Sequence, residues 1–138
     1  MRIVLDTNVL ISGIITPFGN AARILDMIVL GEIAALYDDR ILEEYREVLR
    51  RAKFAFEKNV IDDFLALIES EGVKVTATPL SEEFIDKDDL SFLETAMAGL
   101  ADVLITGNKR HFKVKSKPAK QVKIMTPDEF LKFWREKK

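Results

Sequence analysis

Three acidic side chains stand where an ordinary amphipathic surface would not put them. Asp6 follows directly on the apolar run Ile3-Val4-Leu5 and precedes Thr7-Asn8. A carboxylate at the exit of a short buried strand either faces a ligand or caps the helix that follows. Asp89 is the most telling. At helical spacing it shares a face with Phe92, Leu93, Ala96 and Leu100. A buried unpaired charge costs several kcal/mol, so such a group is normally paired or bound to a metal. A capping role at the third helical position is the alternative. Asp86 and Asp88 have a duller reading, because acids in a first turn favour the helix dipole. Glu44 lies on the border of the stripe Ile41, Tyr45, Val48, Leu49 and Ala52, whereas Glu43 and Glu47 face away. It is the acid of that helix best able to reach inward, unless it is an ordinary surface glutamate. Thr106-Gly107-Asn108 follows the apolar run Val103-Leu104-Ile105, although a glycine after a strand is by itself only a turn signal. Asp102 precedes that run and so belongs to the opposite strand end.

These positions acquire meaning from the elements around them. Arg2 to Leu5, Ile33 to Tyr37, Val73 to Val75 and Val103 to Ile105 read as short strands, with Val122 to Met125 as a fifth candidate. Helical patterns separate them. One follows Asp6 and is broken by Thr16-Pro17-Phe18-Gly19-Asn20. The next covers Ala21 to Leu30 and stops at Gly31. A third is capped by Asp38-Asp39 and runs to about Ala52. Val60, Ile61, Phe64, Leu65 and Ile68 keep helical spacing up to Gly72, and Ser91 to Ala98 lies in another helix. Thr126-Pro127-Asp128-Glu129 opens the last one with a capping box and a proline at the first helical position. Strands alternating with helices predict an α/β domain, with a mainly parallel sheet of four to five strands and helices on both faces. In such sheets ligands bind beyond the carboxyl ends of the strands.

Composition narrows the chemistry. The 138 residues are the usual size of one domain, and with 48% apolar residues they can bury a core. No linker or repeat divides residues 1–138. There is no cysteine and one histidine, His111. That excludes thiolate metal sites and a multi-histidine zinc site, and leaves no obvious Ser-His-Asp triad. The longest uncharged stretch, residues 7–22, has 16 residues and falls short of the ~20 of a membrane span. Asp6 interrupts any signal-peptide layout, so a cytoplasmic protein is expected. Net charge is −2 but uneven. Residues 108–138 carry 11 Lys and Arg against three Asp and Glu, while residues 1–107 carry 10 against 20. An acidic body with a basic tail suits a protein that holds cations and touches phosphates, or simply has a solvated C-terminal surface.

The order of these motifs, from the strand leading to Asp6-Thr7-Asn8, through Glu44 in Ile-Leu-Glu-Glu-Tyr-Arg-Glu-Val-Leu and Asp86-Lys87-Asp88-Asp89, to Leu-Ile-Thr106-Gly107-Asn108, resembles the PIN-domain family. The likeness is strongest to the toxin ribonucleases of prokaryotic VapBC-type toxin–antitoxin pairs and their stand-alone relatives. It spans nearly the whole chain and implies one PIN-like domain cutting single-stranded RNA with Mg²⁺ or Mn²⁺. On that match Asp6, Glu44 and Asp89 take the acidic, metal-binding positions, and Asn8 and Thr106 the polar ones. A fourth acid is common in the family at or shortly after the Thr-Gly-Asp turn, where this chain has Asn108 and His111. Asn108 can hydrogen-bond but carries no charge, which weakens a second metal site. Mg²⁺ and Mn²⁺ prefer hard oxygen ligands and keep several waters. Asp6 and Asp89 are then expected as ligands, and Glu44 as a ligand or a positioner of the attacking water. Asn8, Thr106 and Asn108 would tune that shell or contact the phosphate. Lys109, Arg110 and Lys113 would guide the RNA backbone. The resemblance also implies an antitoxin partner and a homodimer. The alternatives are an inactive module of the same fold that binds RNA or a protein, and an unrelated phosphotransferase or receiver. The receiver lacks its acidic pair after the first strand, and no glycine-rich phosphate loop is present.

Overall fold

A computed structural model of the chain describes residues 1–80, 85–112 and 121–137. Five parallel strands form one sheet: β1 (Arg2–Leu5), β2 (Ala34–Tyr37), β3 (Val73–Lys74), β4 (Val103–Ile105) and β5 (Ile124–Met125), in the order β3-β2-β1-β4-β5. Among the described residues six helices cover its two faces: α1 (Thr7–Ile15), α2 (Asn20–Val29), α3 (Asp39–Leu49), α4 (Lys58–Glu71), α5 (Lys87–Ala98) and α6 (Pro127–Lys137). β1 and β4 are the centre of the sheet, and every residue of Ile3–Leu5 and Val103–Ile105 is buried. That is why these runs are continuously apolar rather than alternating. α1, α2 and α6 pack together, and α3 packs on α4 and α5.

Local signals account for most of the boundaries. Asp38 caps α3, its carboxylate accepting the Ile41 N–H at 2.9 Å. Thr126 and Glu129 close the expected capping box at α6: Glu129 accepts the Thr126 N–H at 2.9 Å, and Thr126 Oγ1 accepts the Glu129 N–H at 3.2 Å. α3 ends at Leu49, one turn earlier than its apolar stripe predicts. The Arg50 N–H turns back to the carbonyls of Arg46 and Val48, and a separate 3₁₀ turn spans Ala52–Phe54. β3 and β5 are each two residues long, shorter than the runs read from the sequence. No helix among the described residues is long and apolar enough to cross a membrane.

This topology places the candidate residues. The chain builds β2 and β3 on one side of β1, and β4 and β5 on the other. The strand order therefore reverses between β1 and β4, which are paired with Leu5 opposite Ile105. The crevice beyond the carboxyl ends at such a reversal is where open α/β sheets bind ligands. Asp6 and Thr106 are the first residues past those two ends. Asp102 is at the other end of β4, where its carboxylate accepts the Arg2 N–H at 2.8 Å.

Candidate active site

The sheet holds Asp6 in place before its side chain does anything. Its N–H donates to the Ile105 carbonyl at 2.9 Å, and the Thr106 N–H donates to Met125 at 2.9 Å, extending the ladder one residue past each strand. Asp6 begins α1 through its backbone carbonyl, which accepts the Val9 N–H at 3.0 Å. Its carboxylate makes no capping hydrogen bond, although the Thr7 and Asn8 amides lie near enough to favour its charge. Instead Asp6 Oδ2 accepts the Thr106 hydroxyl at 2.7 Å and the Asn8 side-chain amide at 3.2 Å. Asn8 Oδ1 in turn accepts the Gly107 N–H at 3.0 Å, and a Cβ on Gly107 would stand only 3.3 Å from that oxygen. The glycine lets the β4 turn close on Asn8.

Asp6 is only 5% exposed. Burial raises its pKa above the usual carboxylate range. The Thr106 hydrogen bond, and more weakly the charge of His111, pull it back without cancelling the rise. A buried carboxylate whose hydrogen-bond partners among the described residues are neutral is one that a cation would relieve.

Glu44 is half-buried on α3, while Glu43 and Glu47 are exposed. The Thr7 hydroxyl donates to Glu44 Oε2, tying this helix to the residue next to Asp6. The neighbouring Tyr45 is buried and donates its hydroxyl to the Leu5 carbonyl. Burial pushes that phenol well above its ordinary pKa, and the charges of Asp6, Glu44 and Asp38 push it further. Tyr45 therefore stays a neutral donor that pins α3 to the end of β1.

Asp89 sits at the third position of α5, after Asp86, which makes no side-chain cap. Its side chain is 19% exposed, above buried Phe92, Leu93 and Ala96 as the helical spacing predicts, whereas Leu100 of the expected face lies past the end of α5 and is exposed. Asp89 Oδ2 lies 3.6 Å from His111 Nδ1. On the other side of that ring, Nε2 is 3.0 Å from Asn108 Nδ2, and the Asn108 N–H reaches Thr106 Oγ1 at 3.1 Å. A chain of contacts thus runs from Asp6 through Thr106, Asn108 and His111 to Asp89. The Asn108 amide and the Asp89 carboxylate thus lie against opposite nitrogens of the ring.

The other expected residues divide. Thr106 has no exposed surface, and its hydroxyl is engaged by Asp6. Asn8 is exposed at the rim. The Lys109 ammonium is 3.2 Å from Glu129 at the start of α6, Arg110 is exposed, and Lys113 lies outside the described residues. Sequence reasoning missed Thr7 and the joining role of His111. It also missed Glu94, a buried acid whose Oε1 is 2.6 Å from Arg40 Nη1 and whose Oε2 accepts the Leu80 N–H at 2.6 Å. Arg40 reaches Asp38 at 2.7 Å as well, clamping α3 to α5 behind the site.

These oxygen donors suit a hard divalent cation. Among the described residues no three carboxylate or imidazole side chains are grouped closely enough to hold an ion by themselves. That does not conflict with Mg²⁺, which commonly binds through one or two carboxylates and keeps several waters.

Known proteins bear on this arrangement. An uncharacterized protein of Methanocaldococcus jannaschii is 29% identical over 143 residues, covering 95% of this chain and 90% of that protein. Among solved structures, a chain of the VapBC2 complex from Rickettsia felis, bound to a DNA fragment from its promoter, superposes with a TM-score of 0.58 at 16% identity. It covers 91% of this chain and 98% of that one. A chain of FitAcB from Neisseria gonorrhoeae gives 0.53 at 20% identity, covering 91% and 97%. At such identities these likenesses speak for the fold alone. The sequence model of the PIN domain matches residues 2–110, which include Asp6, Glu44, Asp89 and the Thr106 turn, and the chain belongs to the PIN-domain family.

Proposed function

We propose that this chain, one PIN-like domain over residues 1–138, is a Mg²⁺- or Mn²⁺-dependent endoribonuclease of single-stranded RNA. The observation that carries the reading is Asp6: a buried carboxylate with a raised pKa, at the strand-order reversal, held by neutral donors. Asp6 and Asp89 would hold the ion, and Glu44 would bind it through water or orient the attacking water. When bound, the ion would acidify that water and offset charge developing on the phosphate. Thr106 and Asn8 fix the rotamer of Asp6, and the Thr7 hydroxyl fixes Glu44, so the carboxylates are oriented before substrate arrives. Asn108, whose amide meets His111, would donate to a phosphate oxygen once substrate displaces that contact. Lys109, Arg110 and Lys113 are the proposed backbone contacts.

The biological reading is the toxin of a toxin–antitoxin pair, acting in the cytoplasm as a homodimer. Its support is family membership and the fold shared with the VapBC2 and FitAcB chains. A second reading, an inactive module binding RNA or a protein, is favoured by Asn108, which is neutral and occupied with His111. The deciding experiment incubates the purified chain with a labelled single-stranded oligoribonucleotide, with Mg²⁺, with Mn²⁺ and with EDTA. Cleavage restricted to the metal lanes supports the enzyme. Binding without cleavage in any lane would favour the module.

A further inference from the structure

The connection between α3 and α4 has the composition of a nucleic-acid contact. Residues 50–58 contain Arg50, Arg51, Lys53 and Lys58 against one acid, Glu57, with Phe54 and Phe56 between them. The two rings stack nearly parallel, with centroids 5.4 Å apart and planes 7° from each other. The Lys53 ammonium covers the Phe54 ring at 5.1 Å from its centroid. Between the rings Ala55 adopts the left-handed backbone region, with φ of 50°, an uncommon conformation for a residue with a Cβ. Phe56 rests on the core, whereas the Phe54 ring lies against Phe56 and Lys53.

Phe56, with Arg50, Lys58 and Ile61, lines a hollow of about 390 Å³. A hollow of that size is within the range of small-molecule sites, which begin at roughly 300 Å³. Arg50 is 3.4 Å from Asp62, but both side chains are about half exposed, and such surface pairs exchange partners at little cost. A separate groove, sharing none of these lining residues, contains Glu44. Glu44, Glu47, Val48 and Arg51 line one side of this groove along α3, faced by Lys87 and Ser91 of α5. Arg50 lies about 9 Å from Glu44 along the helix axis, at 1.5 Å per residue.

We infer that Arg50, Phe56 and Lys58 form a nucleotide subsite for the single-stranded substrate, with one base against the part of Phe56 that lines the hollow and its phosphate between the two cations. The inference rests on the ribonuclease reading for the identity of the polymer. Its own content is the place and the mode of binding. Stacking suits single strands because every base offers a π face, whereas a duplex keeps its bases paired inside. The complementary charge points to a polyanion rather than to an apolar segment.

The test measures affinity of the full chain for a fluorescent single-stranded oligoribonucleotide in EDTA, so that cleavage does not intervene. Duplex RNA and poly-glutamate serve as competitors. Phe56→Leu keeps an apolar side chain against the core but removes the π face. It should weaken binding about 5- to 150-fold, the range of one base–aromatic stack, and Phe56→Tyr should restore it. Arg50→Ala with Lys58→Ala, at exposed positions that carry no core packing, should flatten the salt dependence by roughly 1.4 in logarithmic slope. Unchanged affinity in Phe56→Leu together with an unchanged slope in the double variant overturns the subsite, even if the wild type cleaves RNA normally. Displacement of the labelled strand by duplex RNA or by poly-glutamate as readily as by the unlabelled strand also overturns it. Phe56-dependent binding by a chain that never cleaves with metal supports the subsite and removes the ribonuclease reading instead.

Discussion

Asp6→Asn separates a metal-holding carboxylate from a structural one. Asn has nearly the same volume, and its amide oxygen can still accept the Thr106 hydroxyl now 2.7 Å from Oδ2. The charge is what disappears. The Asp6 pKa is raised because burial outweighs the hydrogen bonds from Thr106 and its neighbours, so the ionised form opposes folding. A raised folded-state pKa contributes stability that is fully present below the unfolded value of 3.8 and is lost as pH rises through the folded value. At neutral pH the metal-free wild type therefore carries a penalty of about 1.36 kcal/mol per unit of rise, which the variant lacks. Metal-free Tm should be equal or higher in the variant at pH 7, and that advantage should shrink on acidification. Metal reverses the comparison. At a hundred times its Kd a bound ion stabilises the wild type by about 2.7 kcal/mol. At roughly 4 °C per kcal/mol for a chain of this size, that is about 10 °C. The variant should gain little from Mg²⁺ or Mn²⁺ and lose metal-dependent cleavage by orders of magnitude. Thermal melts with and without metal across a pH series, beside the cleavage assay, read all three. A pure variant with undiminished cleavage and the wild-type metal shift would refute the assignment of Asp6.

Thr106→Val removes the donor to Asp6 and the acceptor for the Asn108 N–H, and should cost about 1–3 kcal/mol in denaturant unfolding. It should also raise the Asp6 pKa further, moving the pH-dependent window of metal-free stability upward. Glu94→Ala strands the Leu80 N–H and one arm of half-exposed Arg40, and should cost about 1–3 kcal/mol with no direct effect on metal affinity. Glu129→Ala breaks the capping box of α6 and should cost about 0.5–2 kcal/mol. The Glu129 carboxyl is held below its usual pKa, first by the Thr126 N–H and then by Lys109. Its contribution is therefore lost as pH falls through the folded value, and the variant should lack that acid sensitivity in a pH series of melts. Asn108→Asp supplies the missing family acid beside His111 and should enlarge the Mn²⁺-induced thermal shift; an unchanged shift would mean that position 108 does not face the ion.

What could be read in advance depended on whether the cause was local. The Asp38 cap, the Thr126–Glu129 box and the buried runs of β1 and β4 each follow from a few adjacent residues, and each forms as expected. The placement of Glu44 at the border of its stripe held because helical spacing alone decides it. The end of α3 did not. Apolar spacing continues to Ala52, but the chain turns into a 3₁₀ segment over Ala52–Phe54, a choice no helical pattern encodes. Glu94 was invisible for a different reason. Its partners Arg40 and Leu80 lie 54 and 14 residues away, so nothing near it distinguishes it from a surface glutamate.

Asp6 and Thr106 fall between these cases. They are 100 residues apart and touch only because Leu5 pairs with Ile105. Neither motif specifies the other. Each does say that a polar residue follows an apolar strand, and in a parallel sheet all such residues share one edge. A site built by that rule is legible as a set of residues without being legible as a geometry. The rotamer of Asp6, the burial of Thr106 and the bridging by His111 are set by packing across the strand-order reversal, where side-chain contacts are long-range by construction. The same reasoning explains why Thr106 faces inward: one residue past the strand, the pleat still turns its side chain toward Asp6 and away from solvent.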